Sequence, residues 1–295
     1  MRLRQSLPVE DVQPGLPPRQ GPASAAVDRA HAAIRRALRA GGLTMSEAGT
    51  ERVYQDDSYL STMEAELLRV DTTADGRPGL VFARTNFFAA GGGQPGDTGF
   101  VETADGRQVK IVDTVYAADK STILMLVEDD AALPQPGETL VLHVDWKRRY
   151  KLMRMHTACH LLTVVCPFPI TGAAVGEDES RVDFDIPEGA PDKAEVTAGL
   201  MELVEANHPV FTRWISDAEL DANPGLVKSA NVKPPRGTGR IRLVCVGDEG
   251  AVDTQPCGGT HVLETGEVGE IHIGKIEKKG KVNRRFRIRF GPLPA

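Results

Sequence analysis

The sequence predicts an α+β chain in two parts, a small β-barrel-like domain followed by helices on a mainly antiparallel sheet. Three observations carry this reading. Between residues 51 and 145 short apolar or alternating runs recur, separated by Gly, Pro and Asp turn signals. At Asp145 the hydrophobic period changes to that of a helix. The chain then closes on a hairpin rich in Lys and Arg, "GEIHIGKIEKKGKVNRRFRIRF".

Taken in order, residues 1–44 read as an extension. Five prolines crowd the first 22 positions, and "SAAVDRAHAAIRRALRAGG" has the composition of one helix ending at Gly41-Gly42. The segment is Arg-rich but lacks the apolar core of a secretory signal. Residues 45–147 hold the strands "LVFARTNFF", "GFVETA", "QVKIVDTVYA", "STILMLVED" and "TLVLHVDW", a spacing that suggests a small barrel or sandwich. "DWKRRYKLMRMHTACHLLTVVC" reads as one amphipathic helix with Asp145 as its N-cap. Over 148–295 there follow a strand "RVDFDI", a helix "PDKAEVTAGLMELVEANH" with proline in its first turn, a strand "RIRLVCVGD" and the hairpin.

Composition narrows the function classes. With 41% hydrophobic and 26% charged residues over 295 positions, the chain has the make-up of a globular protein able to bury its own core. No apolar run approaches the roughly 20 residues that span a bilayer, so no membrane partner is expected. The cysteines Cys159, Cys166, Cys245 and Cys257 are too few for a disulfide scaffold, and a reducing cytoplasm is the expected compartment. The net charge of −6 hides a contrast: residues 275–290 carry eight Lys or Arg and one Glu, +7, which leaves −13 on the remainder. Such a strip suits phosphates. It suits equally well a solvated hairpin whose cations protect a sheet edge.

The chemistry-bearing residues fall in three stretches. "HTACH" puts His156 and His160 one turn apart on a single helix face. Thr157 stands where a zinc protease would need Glu, so that reading fails. By itself the pair fits a structural histidine couple. "CGGTH" adds Cys257 and His261, and Gly258-Gly259 are expected to turn the backbone so that thiolate and imidazole converge. Together they form a His₃Cys set suited to tetrahedral Zn²⁺. Cys159, about 100° around the helix from His160, should face elsewhere. Four protein ligands close the shell of a structural zinc, whereas a catalytic zinc keeps a position open, and both readings stand at this point. The third stretch, "GGGQPGDTG", contains Gly91, Gly92, Gly93, Gln94, Gly96 and Asp97. No Lys-Ser/Thr follows and the context is strand to strand, so a phosphate loop is excluded. A hairpin turn or a close backbone approach to a ligand or a neighbouring domain remains.

"HTACH", "DTQPCGGTHV…TGEVGEIHIGKIEKKGKVNRRFRI" and "GGGQPGDTG", in this arrangement over roughly residues 52–291, closely resemble the editing domain shared by alanyl-tRNA synthetases and the alanyl-tRNA editing proteins of the AlaX type, in their freestanding, medium-length form. The resemblance implies an α+β editing domain that hydrolyses the ester joining a wrong amino acid, chiefly serine and also glycine, to tRNA(Ala). It implies zinc ligands at His156, His160, Cys257 and His261, and a serine-sensing threonine at Thr85, giving a catalytic set of His156, His160, His261 and Thr85. The chain has Phe88-Ala89 where relatives often have Tyr-Pro, and Gly176 where synthetase editing domains commonly have Gln. Under this reading the basic strip meets tRNA phosphates near the acceptor end through Lys275, Lys278, Lys279, Lys281, Arg284, Arg285 and Arg287. Phe286, Ile288 and Phe290 then face the core, and Arg285, Arg287 and Arg289 face outward. Two other readings keep the same residues: a non-catalytic zinc-stabilised tRNA-binding module, and an editing hydrolase for a different aminoacyl-tRNA. Monomer and homodimer are both compatible with the sequence.

Overall fold

The structure is a computed structural model that describes residues 49–128, 131–187, 189–229 and 239–294, so the extension read over 1–44 lies outside the described residues. Two short strands, β1 (Glu51–Arg52) and β4 (Arg84–Thr85), pair in parallel; among the described residues every other strand ladder is antiparallel, and one isolated bridge, Ile170 with Ser229, is parallel. The architecture is mixed α+β with few helices.

β2 (Thr62–Thr72) is eleven residues long, enough to serve two neighbours in succession. Its first half pairs with β9 (Thr139–Val144) and its second with β3 (Pro78–Phe82), with a register shift between Leu67 and Arg69. Adding β5 (Gly99–Glu102), β6 (Gln108–Ile111), β7 (Asp113–Tyr116) and β8 (Ile123–Leu126) gives a seven-stranded sheet in the order β6-β5-β9-β2-β3-β8-β7. Its edges, β6 and β7, follow one another in the chain with only Val112 between them. Among the described residues no ladder joins them, and Val112 N–H donates to Leu126 on the β8 side. The expected barrel is therefore not closed by hydrogen bonds; one continuous stretch passes from one edge of the sheet to the other. Leu67, Phe82, Phe87, Val101, Ile111, Leu140 and Leu142 belong to one buried hydrophobic cluster against this sheet.

The helix α1 (Trp146–Val165) begins as the sequence predicts, with the Asp145 carboxylate accepting Arg148 N–H at 3.1 Å. It departs from an amphipathic pattern in its second half, where all nine residues from Met155 to Thr163 are buried. A helix enclosed on every side can hold polar groups only if each finds a partner. The enclosure comes from α2 (Lys193–Glu205), capped by Asp192, and from a four-stranded sheet β10 (Ile170–Ala174), β11 (Glu179–Asp185), β16 (Asn283–Phe290) and β15 (Ile271–Lys278), in the order β10-β11-β16-β15. On β16, Phe286 and Ile288 are fully buried while Phe290 is half-buried beneath Arg154, 4.3 Å from its ring. A third sheet, β12 (Val210–Ile215), β13 (Ile241–Val246) and β14 (Asp253–Pro256), delivers the "CGGTH" loop directly after β14, and a short helix α3 (Asp217–Ala222) flanks it. Among the described residues no helix is long and apolar enough to cross a membrane.

Candidate metal centre

The buried half of α1 presents His156 and His160 to the loop that follows β14. There Cys257 and His261 meet them, and one ligand atom from each of the four residues lies within 4.8 Å of every other. Cys257 Sγ is 3.5 Å from His156 Nε2 and 3.3 Å from His261 Nε2. Zinc bonds of about 2.3 Å to sulfur and 2.0–2.1 Å to nitrogen, at tetrahedral angles, require S···N edges of about 3.5 Å. The donor set and its spacing thus fit a tetrahedral soft-metal site.

Sequence reasoning assigned Gly258 and Gly259 to the turn itself, but neither takes a positive φ. Their roles separate instead by space. A Cβ on Gly259 would lie 2.2 Å from His156 Cε1, whereas one on Gly258 would meet nothing within 4 Å. Only Gly259 is required, because the imidazole ring occupies the place of its missing side chain. The loop is further pinned by Arg242, a 5% exposed side chain on β13 whose Nη1 donates to the carbonyls of Cys257 at 2.9 Å and Gly259 at 2.8 Å.

Each imidazole turns its Nδ1 away from the centre onto a separate partner. His156 Nδ1 is 2.7 Å from Gln94 Oε1, His160 Nδ1 is 3.3 Å from Asp253 Oδ2, and His261 Nδ1 is 3.1 Å from Thr157 Oγ1. Such outer partners fix ring orientation and raise ligand basicity. Asp253 is fully buried and also bonds Lys228 and Gln255. Burial pushes its carboxyl upward, but the bonds to His160 and Lys228 hold it down at about 2. His160 is raised to about 9: burial works downward, and Asp253 and Cys257 outweigh it. Burial opposes ionisation of the Cys257 thiol, yet His156 and His261 beside it hold its pKa well below the ordinary thiol range. His261 is driven well below the usual range by burial and by His156, which keeps it neutral. A thiolate beside a protonated His160 is an arrangement that a divalent cation would replace with release of protons.

Among the described residues, the glycine-rich stretch hydrogen-bonds to this centre only through Gln94. Gln94 Nε2 donates to Thr260 Oγ1 at 2.9 Å and its Oε1 accepts Thr260 N–H at 3.2 Å, which locks the two motifs together. Gly91 and Gln94 exchange main-chain bonds across Gly92 and Gly93. Gly93 has φ +86, and a Cβ there would sit 2.7 Å from Ala173 O. Asp97 instead clasps the start of α1: both its oxygens accept Arg149 Nε at 2.9 Å, and both side chains are essentially inaccessible. Gly96 lies against Thr114, where a Cβ would be 2.1 Å from the carbonyl oxygen.

Thr85 is buried. Its hydroxyl accepts Phe87 N–H at 3.1 Å and points at Met125 Sδ, 3.5 Å away, and none of its hydrogen bonds reaches the four ligand residues. Cys159 packs in the core, as its helix angle predicts, with its thiol pushed by burial up to about 12. In the basic strip Arg285 forms a two-pronged pair with Asp183 at 2.8 Å, Arg287 joins Glu277 and Glu179, and Lys279 joins Glu277. Lys275, Lys278, Lys281 and Arg284 have no carboxylate partner among the described residues. Sequence reasoning missed Thr157, Arg242 and Asp253. Thr157 and Asp253 sit inside quoted motifs, and polar residues there, flanking ligands, were the available signal.

Residues 241–287, from β13 through the ligand loop into β16, match the family described as the threonyl and alanyl tRNA synthetase second additional domain. The alanine–tRNA ligase of Pyrobaculum aerophilum is 36% identical over 241 residues, 78% of this chain but 25% of the ligase, so the chain spans about a quarter of that relative. The alanyl-tRNA editing protein AlaX-M of Methanosarcina mazei is 35% identical over 248 residues, 80% of this chain and 95% of that protein. AlaX-M of Methanosarcina acetivorans is 36% identical over 245 residues, 80% of this chain and 97% of its own length. Sharing this identity across nearly the whole of those proteins, the chain belongs to the family of AlaX-M alanyl-tRNA editing proteins.

Proposed function

We propose that this protein hydrolyses the ester of mischarged tRNA(Ala), chiefly Ser-tRNA(Ala) and also Gly-tRNA(Ala), in the cytoplasm, with Zn²⁺ held by His156, His160, Cys257 and His261. The observation that carries the reading is the convergence of these four side chains, each imidazole held by its own outer partner. When bound, zinc would supply Lewis-acid polarisation of an ester carbonyl. The protein's residues do the rest. Gln94 and Asp253 fix two rings, Arg242 and Gly259 shape the loop, and burial of the cluster excludes bulk water. The need for such an activity follows from recognition: a site that accepts alanine rejects a hydroxylated analogue by only about 10²-fold.

The acceptor end would approach through the cations without carboxylate partners, Lys275, Lys278, Lys281 and Arg284, rather than through Arg285 and Arg287. A four-donor set is also the composition of a closed structural zinc, which favours a non-catalytic tRNA-binding module as the second reading. A panel of Ser-, Gly- and Ala-tRNA(Ala) with other misacylated tRNAs separates the possibilities. Serine release in preference to alanine supports the proposal. Binding without deacylation favours the module, and release from a different tRNA alone reassigns the substrate.

A further inference from the structure

The three imidazoles are held by partners of different hydrogen-bonding capacity. Gln94 Oε1 can only accept, and the amide cannot turn over without losing the bond from Thr260 N–H and setting Nε2 against that donor. His156 must therefore carry its proton on Nδ1, which directs Nε2 to the centre. The Asp253 carboxylate, held by Lys228 and Gln255, also can only accept, and its oxygen 3.3 Å from His160 Nδ1, an ion-pair contact rather than a formed hydrogen bond, favours a proton on that nitrogen. Thr157 is different. Its oxygen takes Val262 N–H at 3.4 Å, which leaves the hydroxyl one lone pair and one hydrogen to offer His261 Nδ1 at 3.1 Å. It can accept a proton from that nitrogen or donate one to it.

His261 consequently has two satisfied tautomers, and its neighbours have one each. With Nδ1–H given to Thr157, Nε2 is bare and can bind a metal. With Nδ1 accepting from the Thr157 hydroxyl, Nε2–H donates to Cys257 Sγ, 3.3 Å away. Neither state leaves a buried nitrogen unpaired, a defect that costs more than a made hydrogen bond gains. Off the metal, His156 Nε2 also lies 3.5 Å from Cys257 Sγ, but neither His156 nor His160 has a second neutral tautomer, because the group facing each Nδ1 can only accept.

We propose that Thr157 is a positioning residue that makes His261 the exchangeable ligand of the centre, with His156, His160 and Cys257 as the fixed three. Three fixed ligands with one replaceable position is the arrangement of zinc sites that admit a substrate. The inference rests on the metal reading of the cluster but not on the identity of the substrate.

The test is a ring-nitrogen correlation spectrum of the full chain with ¹⁵N-labelled histidine, zinc-loaded and metal-stripped. His156 and His160 should carry Nδ1–H in both states, and His261 should carry it only with zinc bound. A His261 tautomer that does not change, or a proton leaving Nδ1 of His156 or His160, overturns the proposal. Zinc affinity gives a second measure. Thr157→Val should weaken binding about 10- to 100-fold, the usual effect of losing an outer partner, and Thr157→Ser should restore it. His261→Ala should still bind one zinc, whereas His156→Ala and His160→Ala should not. Unchanged affinity in Thr157→Val, or equal loss in all three alanine variants, overturns it. If the wild-type chain binds no zinc, the metal reading falls and this inference with it, while a substrate panel that fails leaves both intact.

Discussion

Gly259 shows how one missing side chain decides whether the centre can form. Its absent Cβ is where the His156 ring lies, whereas the adjacent Gly258 faces open space. Gly259→Ala should cost at least tenfold in zinc affinity, and Gly258→Ala should be nearly silent; isothermal titration of the two variants checks this. Asp253 supplies the pH-dependent element. Its carboxyl stays at about 2 in the folded chain, below the ordinary value near 3.9, because its bonds to His160 and Lys228 outweigh burial. Its contribution to stability is therefore present above about pH 4 and is lost as the pH falls towards 2. Denaturation midpoints measured across that range should decline, and Asp253→Asn should be less stable at pH 7 and flatter with pH. Spacing alone made the four ligands legible in the sequence. Their outer partners were not, because Gln94, Asp253 and Thr157 acquire meaning only when three separate segments meet.

At the scale of elements, α1 ties the chain together, and it does so at both ends. Its first turns grip the glycine-rich stretch through Arg149 and Asp97, and its buried second half carries the histidines. Removing one member of a buried ion pair strands the other charge, at a cost of about 3–5 kcal/mol. Arg149→Ala should lose stability of that order in urea unfolding, and zinc affinity should fall with it, since Gln94 lies three residues before Asp97 in the same stretch. The helix and its N-cap could be read from "DWKRRYKLM", because capping is local. The enclosure of Met155–Thr163 could not, since it depends on β11, α2 and β14 arriving from later in the chain. The barrel expectation holds only as far as a seven-stranded antiparallel sheet, with no ladder joining its edges among the described residues. Strand number and spacing are local properties, but closure depends on whether the edges β6 and β7 pair, and they are consecutive pieces of one stretch.

For the whole molecule, the strong local charge of residues 275–290 is partly neutralised by carboxylates from the neighbouring strands. Cross-strand register, which a linear charge count omits, puts Asp183 opposite Arg285 and Glu179 opposite Arg289. Replacing Lys278, Lys281 and Arg284 by alanine should therefore weaken tRNA binding and lower its salt slope by about one for each phosphate no longer neutralised, as filter binding over a salt series would record. Arg285→Ala should act mainly on the stability of the sheet face. The central claim is that this His₃Cys centre removes a wrong amino acid from tRNA(Ala). Its most direct test is the rate of serine release from Ser-tRNA(Ala) against alanine release from Ala-tRNA(Ala), for the zinc-loaded protein and for Cys257→Ala. Serine release that exceeds alanine release and disappears together with the zinc in Cys257→Ala is the predicted result. Equal rates for the two substrates, no release, or full activity in a zinc-free Cys257→Ala would contradict it.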